Sequence, residues 1–368
     1  MLSMALNRVV ITVSNNLVTD NRLAKTAASL EACGCEVLLL GRRWPGGNIP
    51  EGRAGKVSRL RFLFNRSLAF YAELNIRLFF YLLFTRVDVI WAVDLDTLPS
   101  GFLVSRLRGK KLIYDSHEYF SELPELQDRP FAKRVWTYLQ DHLIRKADVV
   151  ITVSGSIVDA YRERYGVEAI LVRNMPFRPV DQMTLREVVE TPVIYYQGAL
   201  NVGRGLEEAI RALEYLPGYR MIIVGRGSHE DAIREEVRSL GLEDRVTFTG
   251  MLPFEALADE ARKAHLGLCL MTKEALNHYY ALPNRLFDYP ALGLPVVASA
   301  FPDISEIVEK YQTGLLVDDL QPEKLAAAIK EVCENSELRK LWKTSLPAAA
   351  EMLNWEKEAA VFEELLRN

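Results

Sequence analysis

The sequence predicts an α/β protein of two successive domains, each a parallel sheet covered by helices. Three observations predict it. Short runs of aliphatic and β-branched residues alternate with helix-length segments along the whole chain, as buried parallel strands and their crossovers do. At 368 residues the chain exceeds what one hydrophobic core usually serves. Between Met175 and Thr191 the sequence carries two prolines and no apolar periodicity, which reads as a linker, and the alternation then restarts. The expected domains are 1–178 and 179–354, with an amphipathic helix at about 355–368 packing back on the first.

In the first half, Arg8–Ser14 is an apolar run entering the polar turn Asn15-Asn16, and a helical pattern follows from about Asp20 to Ala32. Glu36–Leu40 supplies the next strand, and Val87–Ala92 another, which ends in Val93-Asp94-Leu95-Asp96. Thr97–Arg108 is helical, Lys111–Tyr114 is a strand, and Asp115-Ser116-His117-Glu118 follows it directly. Three ionisable groups in four residues at the C-terminal edge of a parallel strand mark a candidate site, because ligands of such sheets bind there. A long helical region, about Pro130–Ala147, leads to the strand Asp148–Ser154, and Ser154 can cap the next helix. Ala169–Asn174 closes this half.

The second half begins with Val193–Leu200, then the glycine-rich loop Asn201-Val202-Gly203-Arg204-Gly205 and a helix, Leu206–Leu213. Arg220–Val224 runs into Gly225-Arg226-Gly227, Arg245–Thr249 ends at Gly250, and His265–Thr272 precedes a polar, aromatic loop, Glu274–Ala281. Leu282–Ser299 reads as a short helix, a turn and a buried strand. Pro283 and Asn284 suit a helix start, where the N–H groups of Asn284 and Arg285 project with the positive end of the helix dipole behind them, a phosphate-binding arrangement. One turn on, Asp288 can accept hydrogen bonds from vicinal ribose hydroxyls. Tyr311–Val317 is an edge element, and helices at about Pro322–Asn335, Ser336–Leu353 and Trp355–Leu366 complete the chain.

Composition narrows the function. Hydrophobic residues make up 49% and charged residues 26%, the balance of a soluble globular protein. Four cysteines and five histidines show no zinc spacing, and no leader is evident, so a reduced, cytoplasmic protein is expected. Net charge is −4, and no nucleic-acid motif is present. Yet residues 42–86 carry nine Lys or Arg against Glu51 and Glu73, interleaved with many aromatic and aliphatic residues. A peripheral contact with the inner face of a membrane is the expectation to set against a core helix with a charged rim.

Jointly, Asp115–Glu118, Asp148–Ser154, the Gly198–Gly205 loop, Ile222–Gly227 and Pro283–Ser299 resemble the family 4 glycosyltransferases of the GT-B fold, over nearly the whole chain. That resemblance implies two Rossmann-like β/α/β domains facing each other across a cleft. It implies a retaining transfer from a nucleotide-diphosphate sugar, a UDP-sugar before GDP-mannose, to a glycan or lipid-linked acceptor in surface polysaccharide or glycolipid synthesis. No metal or cofactor is expected, so Asp94-Leu95-Asp96 reads as a loop and cap feature. His117 matches a histidine beside the reacting sugar, and Arg204 the basic residue on the leaving diphosphate. Gly198, Arg226, Gly250, Leu252, Leu282, Asn284, Arg285 and Asp288 fall on the donor side, and Asn15, Asn16 and Glu118 on the acceptor side.

Three positions depart from the family pattern. Tyr280 stands at the first acid of its E-x7-E motif, with Glu274 and Asn277 as replacements nearby. Ala199 stands at a second basic position, with Arg226 and Arg285 as substitutes, and Ser14-Asn15-Asn16 replaces a frequent glycine pair. A nucleotide-sugar 2-epimerase and a catalytically weakened sugar-nucleotide binder therefore remain alternatives. A dehydrogenase is disfavoured, because no G-x-G-x-x-G follows the first strand.

Overall fold

The computed structural model describes residues 7–18, 20–44, 52–179, 184–187 and 191–367. The chain forms two compact units, Met1–Asn174 together with Glu358–Asn368, and Met175–Lys357.

Unit 1 holds a seven-stranded parallel sheet: β1 (Arg8–Thr12), β2 (Glu36–Arg42), β3 (Lys56–Leu60), β4 (Val89–Val93), β5 (Lys111–Ser116), β6 (Val149–Thr152) and β7 (Ile170–Leu171). Their order is β3-β2-β1-β4-β5-β6-β7, so the winding reverses between β1 and β4. Every residue of β4 is buried, as an apolar run in a central strand requires. The Asp20 carboxylate caps the helix Asn21–Ala32 by accepting from Leu23 N–H, and Ser154 caps the helix Gly155–Tyr165 by accepting from Ile157 N–H.

β3 corrects the sequence reading, which took the basic stretch between Arg42 and Arg86 as helical. Among the described residues, Lys56–Leu60 is an edge strand and the helix is confined to Ser67–Phe84. The sequence Lys-Val-Ser-Arg-Leu alternates without a continuous apolar run because the strand pairs with β2 alone and none of its residues is fully buried.

Unit 2 holds six parallel strands: β8 (Val193–Gln197), β9 (Arg220–Val224), β10 (Val246–Gly250), β11 (Leu266–Cys269), β12 (Val296–Ser299) and β13 (Gly314–Val317), in the order β10-β9-β8-β11-β12-β13. Here the reversal lies between β8 and β11. Successive residues of β8 serve opposite faces: Ile194 and Tyr196 join the apolar layer with Leu206, Ile210 and Trp342, and Tyr195 joins the other with Phe287 and Tyr289.

The C-terminal segment expected as one helix is two, Trp355–Ala359 and Val361–Arg367. Beyond Lys357 it belongs to unit 1. Glu358 accepts from Arg173 N–H at 2.6 Å, Leu365 O accepts from Lys111 Nζ at 2.7 Å, and the buried Phe362 ring meets Trp91 edge-on at 5.5 Å.

Candidate functional site

Polar residues gather at both reversal points, where the loops from adjacent strands diverge and leave a crevice at the carboxyl ends of the sheet. In unit 2 the loops after β8 and β9 interlock through backbone. Gly198 N–H donates to Val224 O at 3.0 Å and Leu200 N–H to Arg226 O at 3.1 Å. A Cβ at Gly225 would stand 1.9 Å from Gly198 O, so only glycine permits this approach. Further along, Gly203, at φ 83°, rests against the buried His278 ring, and its carbonyl accepts from Thr272 N–H at 3.1 Å.

That loop sets Arg204 at the end of β11. Its Nη1 lies 3.2 Å from Met271 Sδ, and Arg285 Nη2 approaches the same sulfur at 3.8 Å. Arg285 is buried, its Nε and Nη2 bound to the carbonyls of Leu268 and Leu270, and its Nη1 is 3.4 Å from where a Gly198 Cβ would be. Two guanidinium groups thus converge between the first loop and the end of β11. Burial and then the nearby arginines act in opposite directions on Cys269, whose thiol is raised overall.

The helix carrying Asp288 is shorter and barer than expected. It runs Arg285–Ala291, and Asn284 precedes it in helical geometry without a side-chain cap. Its N–H groups enter internal bonds from Leu286 onward, Leu286 to Pro283 O and Phe287 to Asn284 O. Asp288 is half-buried, and its Oδ2 accepts from Gln197 Nε2 at 2.6 Å, where the sequence reading saw a carboxylate on a helix face. Tyr195 O–H donates to Gln197 Oε1 at 3.1 Å and so turns the amide nitrogen toward the carboxylate. Gln197, the polar residue that ends the otherwise apolar β8, was the available signal for this contact.

The other donor-side positions differ in character. Arg226 is exposed and runs beside Gly250, where an added Cβ would be 3.5 Å from its Nε. Leu252 and Leu282 pack on the apolar layer of Phe287 and Tyr289. Glu274 is exposed with a carboxylate oxygen 3.1 Å from where a Gly203 Cβ would be, Asn277 is buried, and Tyr280 is half-buried.

In unit 1 the buried Asp115 carboxylate is the hub. Oδ1 accepts from Arg22 Nη2 at 3.0 Å and Oδ2 from Trp91 Nε1 at 3.1 Å, and His117 Nε2 stands 3.1 Å from Oδ2. Burial opposes its ionisation, but Arg22 and His117 override that, and the carboxyl is held well below the usual range. Burial likewise disfavours the His117 cation, and the Asp115 charge outweighs it, so the imidazole is held above its ordinary range. Arg22 and Trp91, both essential to this arrangement, were not singled out in the sequence.

Asp94 and Asp96 adjoin this hub. Asp94 adopts φ 59°, and its Oδ1 accepts from His117 N–H at 2.9 Å. Burial pushes Asp94 up to about 7, with His117 opposing the rise and the Asp96 charge adding to it, and burial pushes Asp96 up to about 6 against the hydrogen bond it accepts from Ser14. Asn15 shapes its own loop: Oδ1 accepts from Leu17 N–H at 2.8 Å and Nδ2 donates to Asp20 at 2.8 Å. Asn16 Oδ1 accepts from Val18 N–H at 3.1 Å, and Glu118 is exposed.

Comparison with known proteins supplies the family. Residues 21–174 match the family described as Glycosyltransferase Family 4, and residues 180–346 match Glycosyl transferases group 1. Alpha-D-kanosaminyltransferase of Streptomyces kanamyceticus is 23% identical over 65% of this chain and 65% of its own length, so the match spans slightly under two thirds of that relative. Among solved structures, sucrose-phosphate synthase from Thermosynechococcus elongatus superposes with a TM-score of 0.80 at 19% identity, covering 98% of both chains. Anabaena HepE in complex with UDP-glucose has a TM-score of 0.75 at 18% identity, covering 98% of this chain and 99% of that one. With one family matched through unit 1, the other through unit 2 and the same fold found over nearly its whole length, the chain belongs to the group 1 and family 4 glycosyltransferases of the GT-B fold.

Proposed function

We propose that the protein transfers a sugar, with retention, from a nucleoside-diphosphate sugar to a glycan or lipid-linked acceptor, in surface polysaccharide or glycolipid synthesis. The observation that carries this reading is the convergence of Arg204 and Arg285 on Met271 at the reversal point of unit 2. Two like charges held together repel, and an anion between them relieves that repulsion. A diphosphate fits, because its charge grows as the bond to the sugar breaks, and fixed cations stabilise that developing charge without reorganising. In the proposal these arginines do the work that a divalent ion does elsewhere, so transfer proceeds without metal.

Asp288, oriented by Gln197, is proposed to accept the ribose hydroxyls, since a carboxylate accepts several hydrogen bonds at once. Gly250 and Leu252 are proposed to offer backbone groups to the base, with the exposed Arg226 beside them. A UDP-sugar is favoured as donor, in keeping with the UDP-glucose bound by HepE. In unit 1, His117 is proposed to donate to a sugar hydroxyl, its cation sustained by Asp115, and Asp94 and Asp96 to face the acceptor.

Thermal unfolding with UDP, GDP, ADP and their sugar conjugates, in EDTA and again with magnesium, tests the reading. One nucleotide series should raise the melting temperature in EDTA. A shift confined to magnesium would remove the metal-free donor site, and no shift in either condition would remove the donor site itself.

A further inference from the structure

The helix Ser67–Phe84 is apolar on two opposite faces. Phe70, Leu74, Leu78 and Leu82 recur every four residues and are buried in unit 1. Ala72, Ile76, Phe80 and Phe84 recur at the same spacing two residues out of step, about 200° around the helix, and are exposed. Phe84 is 82% exposed, Ile76 58% and Phe80 54%. A soluble surface helix normally turns polar groups outward on that side.

The turn before the helix extends the same surface. Glu73 accepts from Leu63 N–H at 3.0 and 2.9 Å and from Phe64 N–H at 2.9 Å, and it also takes Arg77 Nε at 2.7 Å. This clamp presents Leu63, 80% exposed, and Phe64, 53% exposed, beside the outer stripe. Leu60, Leu63, Phe64, Ile76, Phe80 and Tyr81 line an open groove of about 740 Å³ between them.

Cations border this surface along the chain. Arg77 lines the groove, and Arg61, Arg66 and Arg86 are exposed and stand in sequence next to Leu60, before the helix start at Ser67 and just past Phe84. The acids nearby are already engaged, Glu73 in the clamp and Asp88 with Lys110. Arg42 and Arg53, counted in the sequence as part of the basic stretch, are held inside: Arg42 stacks on Trp44 and Phe70, and Arg53 donates to the Asp20 carbonyl.

We infer that this face is a docking surface for an anionic lipid bilayer, the helix lying along the interface with Ile76, Phe80, Phe84, Leu63 and Phe64 inserted and the arginines against the headgroups. Among the described residues this is the one helix with the length and apolar character to cross a membrane. It lies flat instead, because its inner side is tied down: Asn75 donates to Asp96 O at 2.8 Å and accepts from Ser100 N–H at 3.0 Å, and Arg108 Nη1 donates to Leu82 O at 2.8 Å. An apolar stripe bordered by arginine matches an interface that is hydrocarbon below and phosphate above. The inference is independent of the transferase reading, since it concerns neither reversal point.

Flotation of the full chain with vesicles of phosphatidylcholine, and of phosphatidylcholine mixed with phosphatidylglycerol, tests it. Binding is expected to the mixed vesicles, falling as salt rises. Phe80→Ser with Phe84→Ser should weaken partitioning by roughly tenfold or more for each ring removed from the bilayer. Arg61→Gln with Arg66→Gln should weaken it by about fivefold per charge, with no effect on neutral vesicles. Unchanged melting temperature and nucleotide binding in these variants would show that only docking was lost. No binding at low salt, equal binding to neutral vesicles, or a dimer that the serine variants dissociate while vesicles go unbound would each overturn the inference, the last in favour of a second copy of the chain.

Discussion

Gly203→Ala isolates the loop on which the proposed donor site depends. At φ 83° any Cβ incurs the left-handed penalty of about 1–2 kcal/mol. The new methyl would also sit 2.5 Å from His278 Cε1 and 2.7 Å from Nδ1, and that ring is buried, so overpacking adds about 1–3 kcal/mol if the loop holds its place. If the loop yields instead, Arg204, the next residue, moves off Met271. Loss of one charge-assisted hydrogen bond to the diphosphate costs about 1.5–3 kcal/mol, or roughly ten- to 150-fold in Kd. The expected result is therefore a lower melting temperature, a weaker nucleotide complex, or both. Calorimetric titration with the nucleotide chosen by thermal screening, alongside thermal unfolding, reads both. Adding His278→Ala should recover the overpacking share and leave the backbone share. A Gly203→Ala protein with wild-type stability and wild-type affinity would refute the placement of this loop against His278 and the role given to Arg204.

Other perturbations probe the remaining parts. Arg204→Ala should lower turnover by about a hundred- to a thousandfold with the fold intact; steady-state kinetics and circular dichroism check it. Asp288→Ala should weaken nucleotide binding, and Gln197→Leu should do so to a smaller degree, both measured by titration. Arg22→Met should destabilise the protein by about 3–5 kcal/mol, because it strands the buried Asp115 charge, read by denaturant unfolding. Asp94 titrates at about 7 in the folded protein, above its unfolded value, so its contribution to stability is full in acid and is lost as pH rises through about 7. Asp94→Asn keeps the acceptor for His117 N–H and tolerates the left-handed backbone, so it should unfold later than wild type at pH 8 with the gap closing toward pH 4.

Much of the fold was legible because parallel strands buried on both faces must be apolar: Val9 to Ile11, Val89 to Val93 and Val296 to Ala298 announce themselves. β3 did not, since an edge strand need not be apolar. The site was legible where chemistry sits in one stretch, as in Asp115–Glu118 or Gly203–Gly205. It was illegible where contacts join distant segments. Nothing near Asp288 points to Gln197, 91 positions earlier, and nothing near Asp115 points to Arg22, 93 positions earlier. Asn284 has the residue type of a side-chain cap, but its backbone is already helical, which removes the geometry a cap requires.

The return of residues 358–367 to unit 1 has a consequence for the order of events during synthesis. Trp91 donates to Asp115 and packs edge-on against Phe362, which emerges only after all of unit 2 has been made. Strands β1–β7 can pair long before that, but the ring that donates to Asp115 lacks its edge-on partner until residues 358–367 arrive. A ribosome-bound chain stalled before residue 358 should thus carry a formed sheet with a solvent-accessible Trp91, and His117 would reach its final setting after translation of unit 2 is finished.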